Sequence, residues 1–320
     1  MLNNERIGIY FPGFTRKSVT FSIDDGNITY DKPFLDILKP AGIKGTFNLC
    51  DPTRLTPAEY REFYEGYEIA NHCLHHPMCF DEGQPFIVSD DPFDRMESRE
   101  YTAEDPVVYK TDVEHLYRIH SIPTRPKPDA WFSITDREHY LEFARVSRER
   151  LEEVFGKGSV KSFVWPYREQ SNARLLEDLI AAGYNSIRKS GGSELANGFE
   201  MPKDRMRWTY NARESNLLDL MERYEAYEDD GELKFFSFGV HSRDYVVHNR
   251  LDDLAEFAKK YGNRPNDYYY ATVSEIFEYE DAVNALEIVN GELVNNSDLS
   301  LYITIDGERV ILDPRERVEI

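Results

Sequence analysis

Three histidines fall within residues 71–77, read Asn-His-Cys-Leu-His-His-Pro. Imidazole is the commonest metal ligand and the side chain that titrates closest to neutral pH. His72 and His76 are four residues apart, and His72 and His75 are three apart. Either pair meets on one side of a helical turn placed after a strand, so spacing alone does not choose between them. His75 and His76 are adjacent and point apart. Two imidazoles do not complete a catalytic zinc set, which takes three protein ligands and keeps one position for water. A carboxylate must come from another segment. Asp24-Asp25-Gly26, at the end of a β-branched and aromatic run, is the obvious source. One aspartate would ligate while its neighbour, aimed elsewhere, acts as a base. Such a set would leave one metal position open for water and a second carboxylate free beside it.

The segments around these residues say how they are positioned. "SVTFSID" (18–24) reads as a strand and runs into a turn at Asp25-Gly26. A helical pattern over 31–42, a short strand at 44–49, a helix over 56–66 and a strand at 67–72 follow. The rhythm resumes with a helix over 135–156, opened by a capping box from Thr135 to Glu138. Strands at 160–166 and 184–188, helices at 172–183, near 213–226 and near 250–261, and a strand at 233–240 come next. Strands alternating with helices imply parallel strands joined by crossovers. In such folds the C-terminal strand ends gather at one face and carry the site. Asp24 and Asp25, His72 and His76, Trp165-Pro166-Tyr167 and His241 all fall at such ends. Each group alone is weak; their joint placement is the signal.

Two regions break the rhythm. Residues 78–133 are too long for an ordinary connection and read as an inserted lid or wall, with Trp131 lining the cleft. Residues 281–320 turn β-like, with Asn290-Gly291 and Asp306-Gly307 as hairpin turns. The expected layout is therefore an α/β body over 1–280 and a small β appendage over 281–320.

Composition narrows the partners. The 320 residues carry 38 basic and 59 acidic side chains, a formal charge of −21. That charge argues against nucleic acid and against an anionic membrane surface. The three cysteines, Cys50, Cys73 and Cys79, form no paired framework, and Cys73 reads as a small buried residue. The N-terminal residues lack a basic start and apolar run, which reads as cytoplasmic, and no stretch is apolar enough to span a bilayer. The expected partner is a small-molecule or oligosaccharide substrate.

The residues also resemble a family, the polysaccharide deacetylases, in particular the nodulation-type chitooligosaccharide deacetylases. "TFSIDDG" (20–26) is similar to the family's T-F-D-D-G with two extra residues, and "EIANHCLHHP" (68–77) to its H-x-x-x-H motif. "VWPYR" (164–168) stands where the family has R-P-P-Y-G, and "FFSFGVH" (235–241) is the apolar strand ending in His. "ATVSEIFEY" (271–279) is similar to the closing motif. The resemblance covers about 18–280 without the insertion. It implies a distorted (β/α) barrel of about seven strands and metal-dependent removal of an acyl group from an amide. Asp25, His72 and His76 would hold the metal, with zinc as the default, although this donor set also takes other divalent metals including iron. Asp24 would be the base, His241 the acid, and the backbone N–H of Tyr167 an oxyanion donor. Trp165, Pro166, Arg168, Trp208 and Trp131 are read as substrate-facing. Two departures stand out. Val164 replaces the arginine that would orient the base, leaving Arg168, Arg205 or Arg207 to substitute. No Asp precedes Trp208, the candidate support for His241. Alternatives are a hydrolase of a non-sugar amide or ureide on the same fold, or a barrel that binds carbohydrate without catalysis.

Overall fold

The computed structural model describes residues 6–80, 87–89, 107–119, 132–167, 169, 173–189 and 198–320. The chain divides into two compact units. One contains residues 1–48, 64–68 and 191–320; the other contains 49–63 and 69–190.

In the first unit the strand Lys17–Asp24 is buried at every residue after the first. Burial on both faces is what a central parallel strand requires, and it explains the near-continuous run Val19-Thr20-Phe21-Ser22-Ile23. Lys234–His241 pairs with it in parallel over its whole length, aligning His241 with Asp24. Gly45–Leu49 pairs on the other side and aligns Asn48 with Asp24, and Tyr269–Tyr270 adds a short parallel partner. Phe21 stacks on Phe238 at 4.6 Å and meets Phe34 and Phe257 edge-on, so the strands are locked to helices Ile28–Leu38 and Leu251–Tyr261. Gly239 has to be glycine: a Cβ there would lie 1.8 Å from the Tyr210 ring.

The second unit carries three more parallel strands. Ser162–Val164 pairs with Ser186–Arg188 and, through Phe163 and Asn71, with Glu68–Asn71. Helices Pro57–Phe63, Arg137–Phe155 and Ala173–Ala181 accompany them. Parallel strands flanked by helices thus recur in both units, the α/β fold of the distorted-barrel class expected. The insertion adds a five-stranded sheet from Met78–Cys79, Ile87–Ser89, Val107–Lys110, Tyr117–Ile119 and Phe132–Thr135.

The C-terminal hairpins are present. Leu286–Val289 pairs with Glu292–Asn295 across Asn290-Gly291, and Leu301–Ile305 with Glu308–Leu312 across Asp306-Gly307. All four turn residues have positive φ, as a type I′ turn demands. Ile7–Tyr10 pairs with Leu301–Ile305, and the hairpins share a core with Phe11, Trp208, Phe235 and Phe277.

Three local expectations need correction. The first helix runs Ile28–Leu38, because Asn27 caps it by accepting from the Thr29 N–H; it does not begin at residue 31. Asp136, not Thr135, caps the helix Arg137–Phe155, since its carboxylate accepts from the His139 N–H at 2.9 Å. The helix Ser242–Val247, straight after His241, had no counterpart in the reading of the sequence. Among the described residues no helix is long and apolar enough to cross a membrane.

Candidate active site

In the first unit, Asp24 ends its strand and is 6% exposed. The chain then turns sharply, with Asp25 at φ 77° and Gly26 at φ 60°. Aspartate tolerates the left-handed region better than most residues, and the turn gives the two carboxylates different settings: Asp24 buried, Asp25 exposed. Asn48, on the neighbouring strand, donates from Nδ2 to Asp24 Oδ1 at 2.7 Å and to Ser22 Oγ at 2.9 Å. The reading of the sequence looked to an arginine to hold this carboxylate and did not name Asn48. Arg205 does not serve there, because its guanidinium pairs with Glu280 and Asp281.

His241 stands beside Asp24 in register, with Nε2 3.9 Å from Asp25 Oδ2 and Nδ1 3.2 Å from Asp244 Oδ2. Burial works to lower its pKa. The hydrogen bond to Asp244 and the charges of Asp24 and Asp25 outweigh that and lift it to about 9. Asp244 is held below the usual carboxylate range, chiefly by its hydrogen bond to His241. Asp244 supports the imidazole, in the place the sequence assigned to Trp208. The next residue, Ser242, donates to buried Asp31, and Tyr64 Oη donates to the other Asp31 oxygen at 2.7 Å. Burial raises Asp31 to about 6, against these two hydrogen bonds.

In the second unit, His72 follows the strand Glu68–Asn71 and is 1% exposed. Its backbone N–H donates to the Leu49 carbonyl at 2.9 Å. Asn71 Oδ1 accepts from the Cys73 N–H at 2.8 Å while its amide donates to the Ala144 carbonyl and to Tyr184 Oη. The stretch is not the helical turn expected: Cys73, His75 and His76 all have positive φ. His72 Nδ1 lies 2.9 Å from the Val164 carbonyl. A carbonyl only accepts, so Nδ1 carries the proton and Nε2 presents its lone pair. That lone pair faces His76, with Nε2 to Nε2 at 3.1 Å. Two nitrogens on one tetrahedral zinc, at bonds near 2.05 Å, stand about 3.3 Å apart, so the pair fits a metal. The carbonyl behind His72 is the outer support that metal-bound imidazoles ordinarily have. His75 points elsewhere, edge-on to Phe143, and burial lowers its pKa.

Tyr167, after Pro166, has φ 60° and sets its ring edge-on to His76 at 4.5 Å. Trp165 is 0% exposed, packed against Phe163 and Tyr140, and Trp208 is 3% exposed against Phe235 and Phe277. Both indoles are core side chains, which corrects their reading as substrate-facing. Trp131 and Arg168 lie outside the described residues. A second cluster, His115, Asp136 and His139, escaped the reading of the sequence because its members are far apart in the chain.

Residues 12–187, more than half of the chain, match the family model of polysaccharide deacetylases. The chain belongs to this family. It is a hydrolase of carbon–nitrogen bonds other than peptide bonds, with deacetylase activity on acetylated sugar. Similar solved structures include the Xyl-CE4 domain of a multidomain xylanase from the hindgut metagenome of Trinervitermes trinervoides. It is 16% identical, with 83% of this chain and 92% of that chain covered and a TM-score of 0.43. Peptidoglycan deacetylase PdaC from Bacillus subtilis is 16% identical, with 84% and 94% covered and a TM-score of 0.43. A family 4 acetyl xylan esterase from Clostridium thermocellum, in complex with a cobalt ion, is 15% identical, with 83% and 92% covered and a TM-score of 0.44. No curated protein matches the chain by sequence.

Proposed function

We propose that this family member is a metal-dependent deacetylase of an N-acetylated sugar or a related small amide. The observation that carries the reading is the pair His72 and His76, whose Nε2 atoms stand 3.1 Å apart with His72 Nδ1 tied to a backbone carbonyl. Asp25 is the third ligand: one carboxylate with two imidazoles is a donor set able to hold a divalent cation. Zinc is the default among such cations. A bound cation supplies Lewis-acid polarisation of the acyl carbonyl and makes water more acidic.

The chain's own groups do the rest. Asp24, held by Asn48, takes the proton of the attacking water. The Tyr167 N–H donates to the developing oxyanion, and one such donor is worth roughly 3 kcal/mol. The amine cannot leave as an anion, so His241, kept protonated by the carboxylates around it, gives it a proton. The test is the metal content of wild type and of His72→Ala, together with acetate release from N-acetylglucosamine oligomers. One metal per wild-type chain and acetate release, both lost in His72→Ala, are expected. A wild type that takes up no metal sinks the assignment.

A further inference from the structure

Tyr167 occupies a backbone conformation for which it has no local preference. A φ of 60° is rare for an aromatic residue and persists only where surrounding contacts impose it. Those contacts are visible. The Tyr167 ring is gripped edge-on from two sides, by His76 at 4.5 Å and by Phe132 at 5.2 Å. His76 belongs to the histidine turn. Phe132 belongs to the insertion, as the first residue of the strand Phe132–Thr135.

That strand is itself well anchored. It pairs in parallel with Met78–Cys79, only two residues beyond His76, and antiparallel with Tyr117–Ile119, where Phe132 faces Ile119. Thr135 Oγ1 donates to the His115 carbonyl at 2.6 Å. Tyr117, Ile119, Phe80, Phe132 and Tyr167 close over Met78 and Ile134 as one small apolar cluster. The Tyr167 ring is thus a member of the insertion's own core. Its ring is held against a sheet that the α/β rhythm does not contain.

We propose that Phe132 is a positioning residue for catalysis: the insertion fixes the Tyr167 backbone so that its N–H points at the developing oxyanion. This rests on the deacetylase reading above. Phe132 would act through its contact with Tyr167, so its removal should leave substrate affinity alone and weaken the transition state. A misplacement of about 1 Å can cost on the order of 100-fold in rate; partial loosening should cost about tenfold.

The experiment compares kcat and KM of wild type, Phe132→Ala and Phe132→Leu on N-acetylglucosamine oligomers, with metal content measured alongside. Phe132→Ala should lose about tenfold or more in kcat, with KM within twofold and metal content unchanged. Phe132→Leu, which keeps an apolar contact, should recover most of the loss, and it serves as the test if the alanine variant does not fold. A second readout is the ratio of turnover on N-acetyl and N-thioacetyl substrates. Thiocarbonyl sulfur accepts hydrogen bonds weakly, so the ratio should fall in Phe132→Ala if the lost contribution is the Tyr167 donor. An active wild type with unchanged kcat and ratio in the variants overturns the proposal. A wild type that binds no metal and releases no acetate overturns the parent reading, a distinct result.

Discussion

Two clusters in the same unit contain nearly the same chemistry and differ in what it can do. His115, Asp136 and His139 bring two imidazoles and a carboxylate within 4.8 Å of one another. By composition alone this is a complete donor set. By orientation it is the poorer one. The rings of His115 and His139 are stacked, with centroids 3.6 Å apart and planes inclined at 14°. An imidazole lone pair lies in the plane of its ring, and nearly parallel planes this far apart do not converge on one ion. The rings of His72 and His76 meet at 71° with their Nε2 atoms facing. The Asp136 carboxylate is also already employed, accepting from His139 Nδ1 and from the His139 N–H that opens a 19-residue helix. Proximity of donor types is thus met by both clusters, and convergence of lone pairs only by His72 and His76.

The largest effect that can break this comparison is on metal binding. His76→Ala should lower the affinity for zinc or cobalt more than 100-fold, because losing even an outer-shell support costs about 10- to 100-fold. His139→Ala should leave the stoichiometry at one metal per chain. Equilibrium dialysis against each metal reads both. A second equivalent bound by wild type and lost in His139→Ala would show that the stack opens to accept an ion, and orientation would then be no guide.

The sequence made the strand ends legible and left their surroundings obscure. Asp24 and His241 were readable because each closes a long apolar run, and the parallel register then sets them side by side. His72 and His76 were readable as ligand candidates, but not their geometry. Positive φ at Cys73, His75 and His76 has no local cause in residues that are not glycine, and the helical turn drawn from spacing is absent. Asn48 and Asp244 were missed for different reasons. Asn48 lay inside a strand already identified, and only the register shows it beside Asp24. Asp244 follows His241 by three residues, a spacing that would have flagged it had the helix after the strand been expected. Trp165 and Trp208 were misjudged because a tryptophan near a motif invites a substrate role, whereas burial sets theirs. The insertion's sheet was illegible because its pairings are set by tertiary packing of short strands, for which local propensity is a poor guide.

A third histidine sharpens the contrast, because carboxylates rather than another imidazole surround it. The carboxylates around His241 outweigh its burial and raise its pKa to about 9, so with no metal bound the contribution to stability is fully present below pH 6.5. It is lost as pH rises through about 9. The side chain is 45% exposed, so solvent screens much of the gain, leaving roughly 1 kcal/mol. Thermal melts between pH 6 and 10 should show this decline in wild type and a flatter profile in His241→Gln. Equal slopes in the two proteins would mean that Asp244, Asp24 and Asp25 do not hold the imidazolium as the geometry indicates.

The smallest effect tests what Asp136 is for. As a helix cap, Asp136→Ala should cost about 1 kcal/mol, whereas Asp136→Asn keeps an oxygen for the His139 N–H and should cost only a fraction of that. Neither change should alter metal content. If the carboxylate matters instead through His139 Nδ1, the asparagine variant should be nearly as unstable as alanine, and adding His139→Ala should erase the difference from wild-type capping. Urea titrations of Asp136→Ala, Asp136→Asn, His139→Ala and the double alanine variant separate the cases, since the Asp136 and His139 effects add when the cap alone is responsible and fail to add when the imidazole contact is.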